Sequence, residues 1–472
     1  MKIQVFAPFF LSLIVLPAFA YTLDDYLGEV KNKHKGFKAL ETSVAAKELR
    51  KDEAKLFFKP SFFLNGEYYD DQRPTNAPAF QGTQTLRHTL RSGLSQNLRL
   101  GTKATVSYNI YKTQINGTQG SFLPNKQFFD VAPQIEISQS LWRNFLGAEF
   151  EATEKAQLAQ VEAARFADQF TYKQLLMQAE NAYWRLYFAQ TSLKVQAESL
   201  ERAKRLRDWN AQRVKNNLTD EADLLQAEAN LQSREIEYQD TLTEIAAALR
   251  EFNSIRESEG EIDLHGKPEE SAAGILEAEI PKKMKMREDV LAQLANQKLA
   301  MANAELGTQR NRPNLELYGS YSVNGRNSQY QEAYDQAMRT TRPFSIVGVR
   351  FTTPIDVWSM NDYKKAYAQE VTASELAYKR KMFEVEKEWE ILVERFNNFK
   401  TRLRLSQKMV KVQERKLQNE KQRYNQGRTT TFQVLQFEQD FANAQLLKLR
   451  YERELLTVYN QIKLFTGNNY AN

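Results

Sequence analysis

The sequence predicts an α+β membrane protein built from two copies of one plan, strands followed by a helical hairpin. Three observations carry this expectation. The N-terminus has an export pattern with no later apolar run able to span a bilayer as a helix, seven-residue apolar stripes recur 210 residues apart, and segments of alternating polarity lie between the helical ones.

The chain opens with Lys2, an apolar run from Ile3 to Phe19, and small residues at Ala18 and Ala20. This is the pattern of a signal peptide over residues 1–20, which makes Tyr21 the mature start. A retained anchor is the competing reading, and Pro8, Pro17 and the short apolar run weigh against it. The rest of the chain has too low a mean hydropathy (-0.62 overall) and too many charges (26%) for a spanning helix, so any membrane crossing must use strands. With no cysteine, disulfides, thiolate metal sites, cysteine nucleophiles and a lipidated N-terminal cysteine are excluded. Loss of Lys2 takes the 65 basic residues to 64 against 59 acidic, well interspersed, so nucleic acid is not an expected partner.

In the second half, Trp389, Phe396, Leu403, Val410, Leu417 and Tyr424 fall seven apart, and so do their counterparts 210 residues earlier: Ala179, Leu186, Leu193, Leu200, Arg207 and Val214. The step continues in Val434, Phe441, Leu455 and Ile462 and in Leu224, Leu231, Ile245 and Phe252. Each half therefore has a long helix (about 145–215 and 360–425), a tip, and a shorter returning helix (about 220–255 and 430–466). The long helices would each extend roughly 100 Å if continuous. Gly427 and Asn217 mark the tips, where a left-handed or turn conformation is needed, and Thr429, Thr430 and Thr431 can cap the returning helix.

Two further helices, about 22–58 and 282–311, lead into the strands, ending at Lys59-Pro60 and Arg312-Pro313. The first repeat is thus expected over 21–255, with strands at about 60–141 and its tip at about 215–220. A Glu-, Gly- and Pro-rich linker follows at 256–280, and the second repeat occupies 281–472, with strands at about 313–354 and its tip at about 425–431.

Leu315, Leu317, Gly319, Tyr321 and Val323 alternate with Glu316, Tyr318, Ser320 and Ser322, a dyad pattern suited to a wall between lipid and water. A half-buried soluble sheet would give the same alternation. Segments 61–70, 90–100, 102–113 and 128–141 in the first half, with two in the second, make six expected strands per chain. A tight turn at Leu100-Gly101-Thr102 and long polar loops at 71–88 and 114–126 connect the first four. Six strands are too few for a wide closed barrel, so several chains are expected to share the wall. Trp142 and Trp358, where strands give way to long helices, are expected membrane-interface anchors, with a core tryptophan at a strand end as the plain alternative.

At this point the sequence resembles the TolC family of outer-membrane efflux proteins (outer membrane factors) over essentially the whole mature chain. The residues that carry the likeness are "YTLDDYL" at 21–27, Pro60 and Pro313, "AYWRLYFAQTSL" at 182–193, "TPIDVW" at 353–358, and the paired tips "RVKNNLTDEADLLQAEANL" and "RYNQGRTTTFQVLQFEQDF". The resemblance implies a homotrimer whose strands form one barrel in the outer membrane of a Gram-negative bacterium. A long periplasmic α-helical barrel would continue it, and the linker would lie in an equatorial region. It implies an exit duct for tripartite efflux or type I secretion, partnered by a periplasmic adaptor, an inner-membrane transporter and outer-membrane lipid, with no cofactor.

The resemblance also assigns the tips. Asn217, Leu218, Thr219, Gly427, Arg428 and Thr429 match the adaptor-docking end, Tyr424 matches a tyrosine that helps close the mouth, and Asp223 matches an aspartate that pairs with it. Two departures stand out. Thr429, beside Arg428, replaces an arginine of the family prototype, and Gln433 and Gln436 replace two aspartates that constrict its lumen. A polar constriction of Gln433, Gln436 and Asp220 is still expected; the alternative is that these are solvated helix-start residues.

Catalysis is not expected, because His34, His88 and His265 are scattered without ligand spacing and no phosphate-binding glycine loop appears. The rival to a duct is an exported coiled-coil spacer between envelope layers, which would satisfy the stripes but leave the strands unexplained. In the family the barrel has four strands per chain, twelve in all. The extra hairpin near 90–113 would make eighteen if it joins the wall, the preferred reading, or fold over the opening.

Overall fold

The structure, a computed structural model, describes residues 21–118, 125–260, 262, 264, 274–277, 279–339 and 341–466. The expected signal peptide and much of the expected linker lie outside them. Two units divide the chain, one drawn from Met1–Thr42, Gln169–Arg287 and Glu384–Asn472, the other from Ser43–Asp168 and Glu288–Phe383. Each unit takes segments from both repeats, so the duplication runs through both.

In the first unit, the expected helix at 22–58 begins as α1 (Leu23–Lys33) and is interrupted by His34, whose extended backbone (ψ 116°) ends it. Thr22 and Asp25 form a reciprocal capping box at its start. Tyr26 is fully buried and stacks on Phe252 at 4.1 Å, beside Tyr183 at 5.9 Å. Burial pushes the Tyr183 hydroxyl up to about 12. Tyr26 of "YTLDDYL" and Tyr183 of "AYWRLYF" thus meet in one aromatic cluster. The chain continues through α2 (Lys35–Arg50) and the short α3 (Glu53–Leu56).

The strands follow Pro60 and Pro313 as expected. They are β1 (Ser61–Asp71), β2 (Gln84–Asn97), β3 (Thr102–Asn116), β4 (Gln127–Ser140), β5 (Asn314–Val323), β6 (Gly325–Asn327) and β7 (Pro343–Thr352). All pairings are antiparallel, in the order β1-β2-β3-β4-β5-β7, with β6 extending the β5 side of β4. The loops after β1 and β3 are shorter than expected, because β2 and β3 pair as far as Gln84 and Asn116. One four-residue helix, α4 (Pro78–Gln81), sits in the first of them.

The turn between β2 and β3 is fixed against the entry to the long helix. Gly101 and Gly147 both have positive φ (78° and 81°), and a Cβ on Gly147 would lie 1.7 Å from the Arg99 carbonyl oxygen. Arg99 in turn pairs with Glu154 at 2.9 Å and covers the Phe58 ring at 4.6 Å. Gly147→Ala is therefore expected to destabilise the fold by about 2–4 kcal/mol, combining left-handed strain with a backbone clash. Gly66→Ala, which meets nothing within 4 Å, is the control. Equal thermal unfolding temperatures in detergent for the two variants would show that the turn is not fixed there.

Two very long helices follow the strands of each repeat: α5 (Ala148–Lys215) with its return α6 (Glu221–Arg256), and α9 (Val357–Asn425) with its return α10 (Thr431–Lys463). Before the second set of strands comes α7 (Glu288–Arg310), and α8 (Tyr330–Met338) lies between β6 and β7. In α9 the expected stripe is buried at Phe396, Leu403, Leu417 and Tyr424. In α5 it is not the main seam: Leu193, Leu200, Arg207 and Val214 are only half-buried. The continuous buried line there is Ala182, Ala189, Gln196, Ala203 and Asn210, three residues further on. Its counterparts 210 residues later include Leu392, Ser406 and Glu420, also buried. Both long helices thus carry two adjacent seams at heptad spacing, the second of them small or polar throughout in α5.

Candidate functional site: a two-faced wall and the helix tips

The sheet has one apolar and one polar face. Register places Phe62, Leu94, Val106, Ile135 and Tyr321 in one row on one face, with Ile137, Gly319 and Val347 in the next. These large side chains are exposed, Val347 by 81%. The opposite face holds Arg91, Asn109, Gln134, Glu136, Ser320, Glu316 and Arg350. There Asn109 donates to Gln134 at 3.1 Å, and Arg350 pairs with Glu316 at 3.3 Å. Polar groups pair with one another on the second face, while the apolar band on the first is left uncovered by the described residues from Ile135 to Leu141 on β4. The apolar face itself runs from Val131, which α8 covers, to Leu141, about ten residue steps or roughly 34 Å of strand.

Trp142 stands at the end of this band, two residues after β4, and is 48% exposed, as an interface anchor requires. Trp358 lies in the first turn of α9, and its side chain falls outside the described residues.

The two tips are built alike. Asn217 and Gly427 take left-handed φ (55° and 68°). The Leu218 N–H donates to the Arg213 carbonyl at 2.8 Å, and 210 residues later the Arg428 N–H donates to that of Arg423 at 2.9 Å. This six-to-one closure is why a glycine or asparagine must interrupt each helical run. Returning helix α10 is capped by Thr430, whose hydroxyl accepts from the Gln433 N–H, whereas Asp220 makes no side-chain cap bond at the start of α6. Leu218 and Phe432 leave apolar surface at the tips, 64% and 58% exposed.

Tyr424 is buried, as a closing contact would be, but its partners differ from the expectation. Within the chain the expected pairing with Asp223 does not form; Asp223 accepts from Thr219 instead. The Tyr424 hydroxyl meets Asn210 Oδ1 at 2.9 Å and Thr431 Oγ1 at 3.0 Å, and Thr431 Oγ1 lies 3.1 Å from the same Asn210 oxygen. Two hydroxyl protons serve these three contacts, while Asn210 Nδ2 donates to the Leu206 carbonyl at 2.9 Å. Arg213 lies over the Tyr424 ring at 5.6 Å. Asn210 and Thr431, which the sequence did not single out for this role, therefore join α5, α9 and α10. Nearby, Glu438 accepts from Arg202 at 2.7 Å and pairs with Lys421 at 2.5 Å, joining the same three helices. Gln433 and Gln436 are exposed, bonded to Thr429 at 2.6 Å and Asp440 at 3.0 Å respectively; Asp220 is exposed too.

The model of the outer membrane efflux protein family matches residues 281–468. The match falls within the second repeat and spans α7 to α10. Solved structures extend the likeness to both repeats. The Campylobacter jejuni CmeC outer membrane channel is 14% identical with a TM-score of 0.67, covering 95% of this chain and 87% of that one. For VceC of Vibrio cholerae the values are 12%, 0.65, 94% and 96%. For the open state of the Neisseria gonorrhoeae MtrE channel they are 13%, 0.67, 94% and 89%. At such identities the likeness is one of fold. No curated protein matches in sequence.

Proposed function

We propose that three copies of the chain close one barrel in the outer membrane and one hollow helical bundle in the periplasm. The assembly is an exit duct, not a catalyst, in a tripartite efflux or type I secretion system. The observation that carries this reading is the pair of sheet edges. β1 and β7 each have one neighbour, have similar lengths of 11 and 10 residues, and run in opposite directions. Copies arranged head to tail can therefore join β7 of one to β1 of the next, antiparallel, leaving no unpaired backbone in lipid. A periplasmic spacer would have no use for such a wall.

The helix tips supply the partner end. Leu218 and the exposed backbone turns at Asn217–Thr219 and Gly427–Thr429 suit a periplasmic adaptor, which would align the mouth with an inner-membrane transporter. Gln433, Gln436 and Asp220 form the polar constriction in this reading. Replacing both glutamines by serine is expected to raise single-channel conductance in planar bilayers, and an unchanged conductance would remove them from the constriction. The reading as a whole is tested by native mass in detergent, where three times the chain mass is expected. A detergent-free monomer lacking a strand signal in circular dichroism would overturn it.

A further inference from the structure

The β2–β3 hairpin belongs to the wall. It is inserted between β1 and β4, which would otherwise be neighbours, and its register is unbroken on both sides: Ser61 to Asp71 pair with Ser95 to Thr85, and Thr102 to Gln114 with Gln139 to Gln127. Its two faces match those of the wall. Leu90, Leu94, Val106 and Ile110 continue the apolar face, while Arg91, Ser107 and Asn109 continue the polar one, Arg91 lying 4.0 Å from Glu136 on β4. Its turn is held in place, with Gly101 N–H bonded to the Leu98 carbonyl at 3.1 Å and packed against Asn144. Each copy therefore offers six strands in one path.

Resting on the three-copy assembly proposed above, we propose that the barrel is built from eighteen strands, three times six, and that its bore does not sieve small solutes. Barrel diameter grows nearly in proportion to strand number. At a strand spacing of about 4.8 Å and a tilt of about 40°, eighteen strands give a backbone diameter of about 36 Å, against about 24 Å for twelve. Side chains reaching roughly 5 Å inward from each wall leave a passage of about 25 Å, close to the diameter of a folded domain of about 50 residues. α8, the longer of the two helices described in the wall's loops, does not fill this space. It packs on the apolar, outward face, where Ala333 and Ala337 are buried against Val131, and a Cβ on Gly325 would strike the Ala333 carbonyl. Sieving is thereby left to the helix tips.

Electron cryomicroscopy of the full chain in lipid nanodiscs tests this directly. Eighteen strands around three copies are expected. Twelve strands around three copies would overturn the inference while leaving the duct intact, and a monomer without a barrel would overturn both. Cross-linking in outer-membrane vesicles gives a second readout, made unambiguous by the absence of native cysteine. The pairs Leu64→Cys with Ser92→Cys (β1 to β2) and Val106→Cys with Ile135→Cys (β3 to β4) should each form a cross-link. Leu64→Cys with Pro133→Cys or with Ile135→Cys should not. Cross-linking of β1 directly to β4, or failure of the β1 to β2 pair, would place the hairpin outside the wall and overturn the proposal.

Discussion

Ile135→Lys is expected to abolish assembly of the barrel, whereas Ser320→Lys is expected to leave it largely intact. The two positions lie close together in the middle of the wall: Ile135 pairs with Tyr321, and Ser320 with Glu136. Ile135 is on the apolar face, half exposed with no cover from the described residues. A lysine near the bilayer midplane costs about 2–4 kcal/mol, and a ring of three copies would incur it three times, about 6–12 kcal/mol in all, comparable to the whole stability of a typical domain. At Ser320 the same ammonium faces the polar side beside Glu136, where water and a carboxylate receive it. Heat-modifiable oligomers on gels of outer-membrane fractions provide the measurement. If both variants assemble equally well, the apolar face does not meet lipid.

Asn210→Leu is expected to open the mouth. The substitution keeps the side-chain volume similar but removes the oxygen shared by Tyr424 and Thr431 and the amide bonded to Leu206. Losing a buried polar partner costs about 1–3 kcal/mol per site. If closure depends on this junction in every copy, the closed form loses about 3–9 kcal/mol, enough to raise the open population at least a hundredfold. Tyr424→Phe should produce a smaller shift in the same direction, because Thr431 still reaches Asn210. Thr401→Ala, which removes only an exposed bond to the Asn397 carbonyl, is the control. Single-channel conductance and cellular sensitivity to a bulky antibiotic would report the change. Conductance equal to the control in both junction variants would show that these contacts stabilise the helices without closing the mouth.

The sequence made the helices, the tips and six of the strands legible because each writes a strong period or break. Phe396, Leu403 and Leu417 are large and seven apart; Gly427 and Asn217 are the residues that tolerate a left-handed turn; Pro60 and Pro313 stop helices. The second seam left no such trace, because Ala182, Ala189 and Ala203 are small and Gln196 and Asn210 polar. Their burial follows from close helix packing, and Asn210 could be recognised only by its partners across two other helices. For the same reason α8 and β6 were missed. The segment Gly325–Met338 is polar on average, and Ala333 and Ala337 become core residues only because Val131 lies beneath them. The first residues of β2 read as loop because Arg87 and His88 are charged or polar, yet pairing with Thr113 and Lys112 extends the strand through them. The expected partner of Tyr424 came from resemblance, and within the chain Asn210, on the same buried line of α5 as Gln196, takes that place.

The inserted hairpin also fixes how such a wall can grow. Each added strand reverses the chain's direction across the bilayer, so a single extra strand after β1 would deliver α5 to the wrong side of the membrane. Two extra strands restore the direction and leave everything downstream oriented as before. In the proposed barrel, enlargement of the pore is thus quantised in pairs, with the turn at Leu98–Thr102 as the new structure required on the side where α5 leaves the wall.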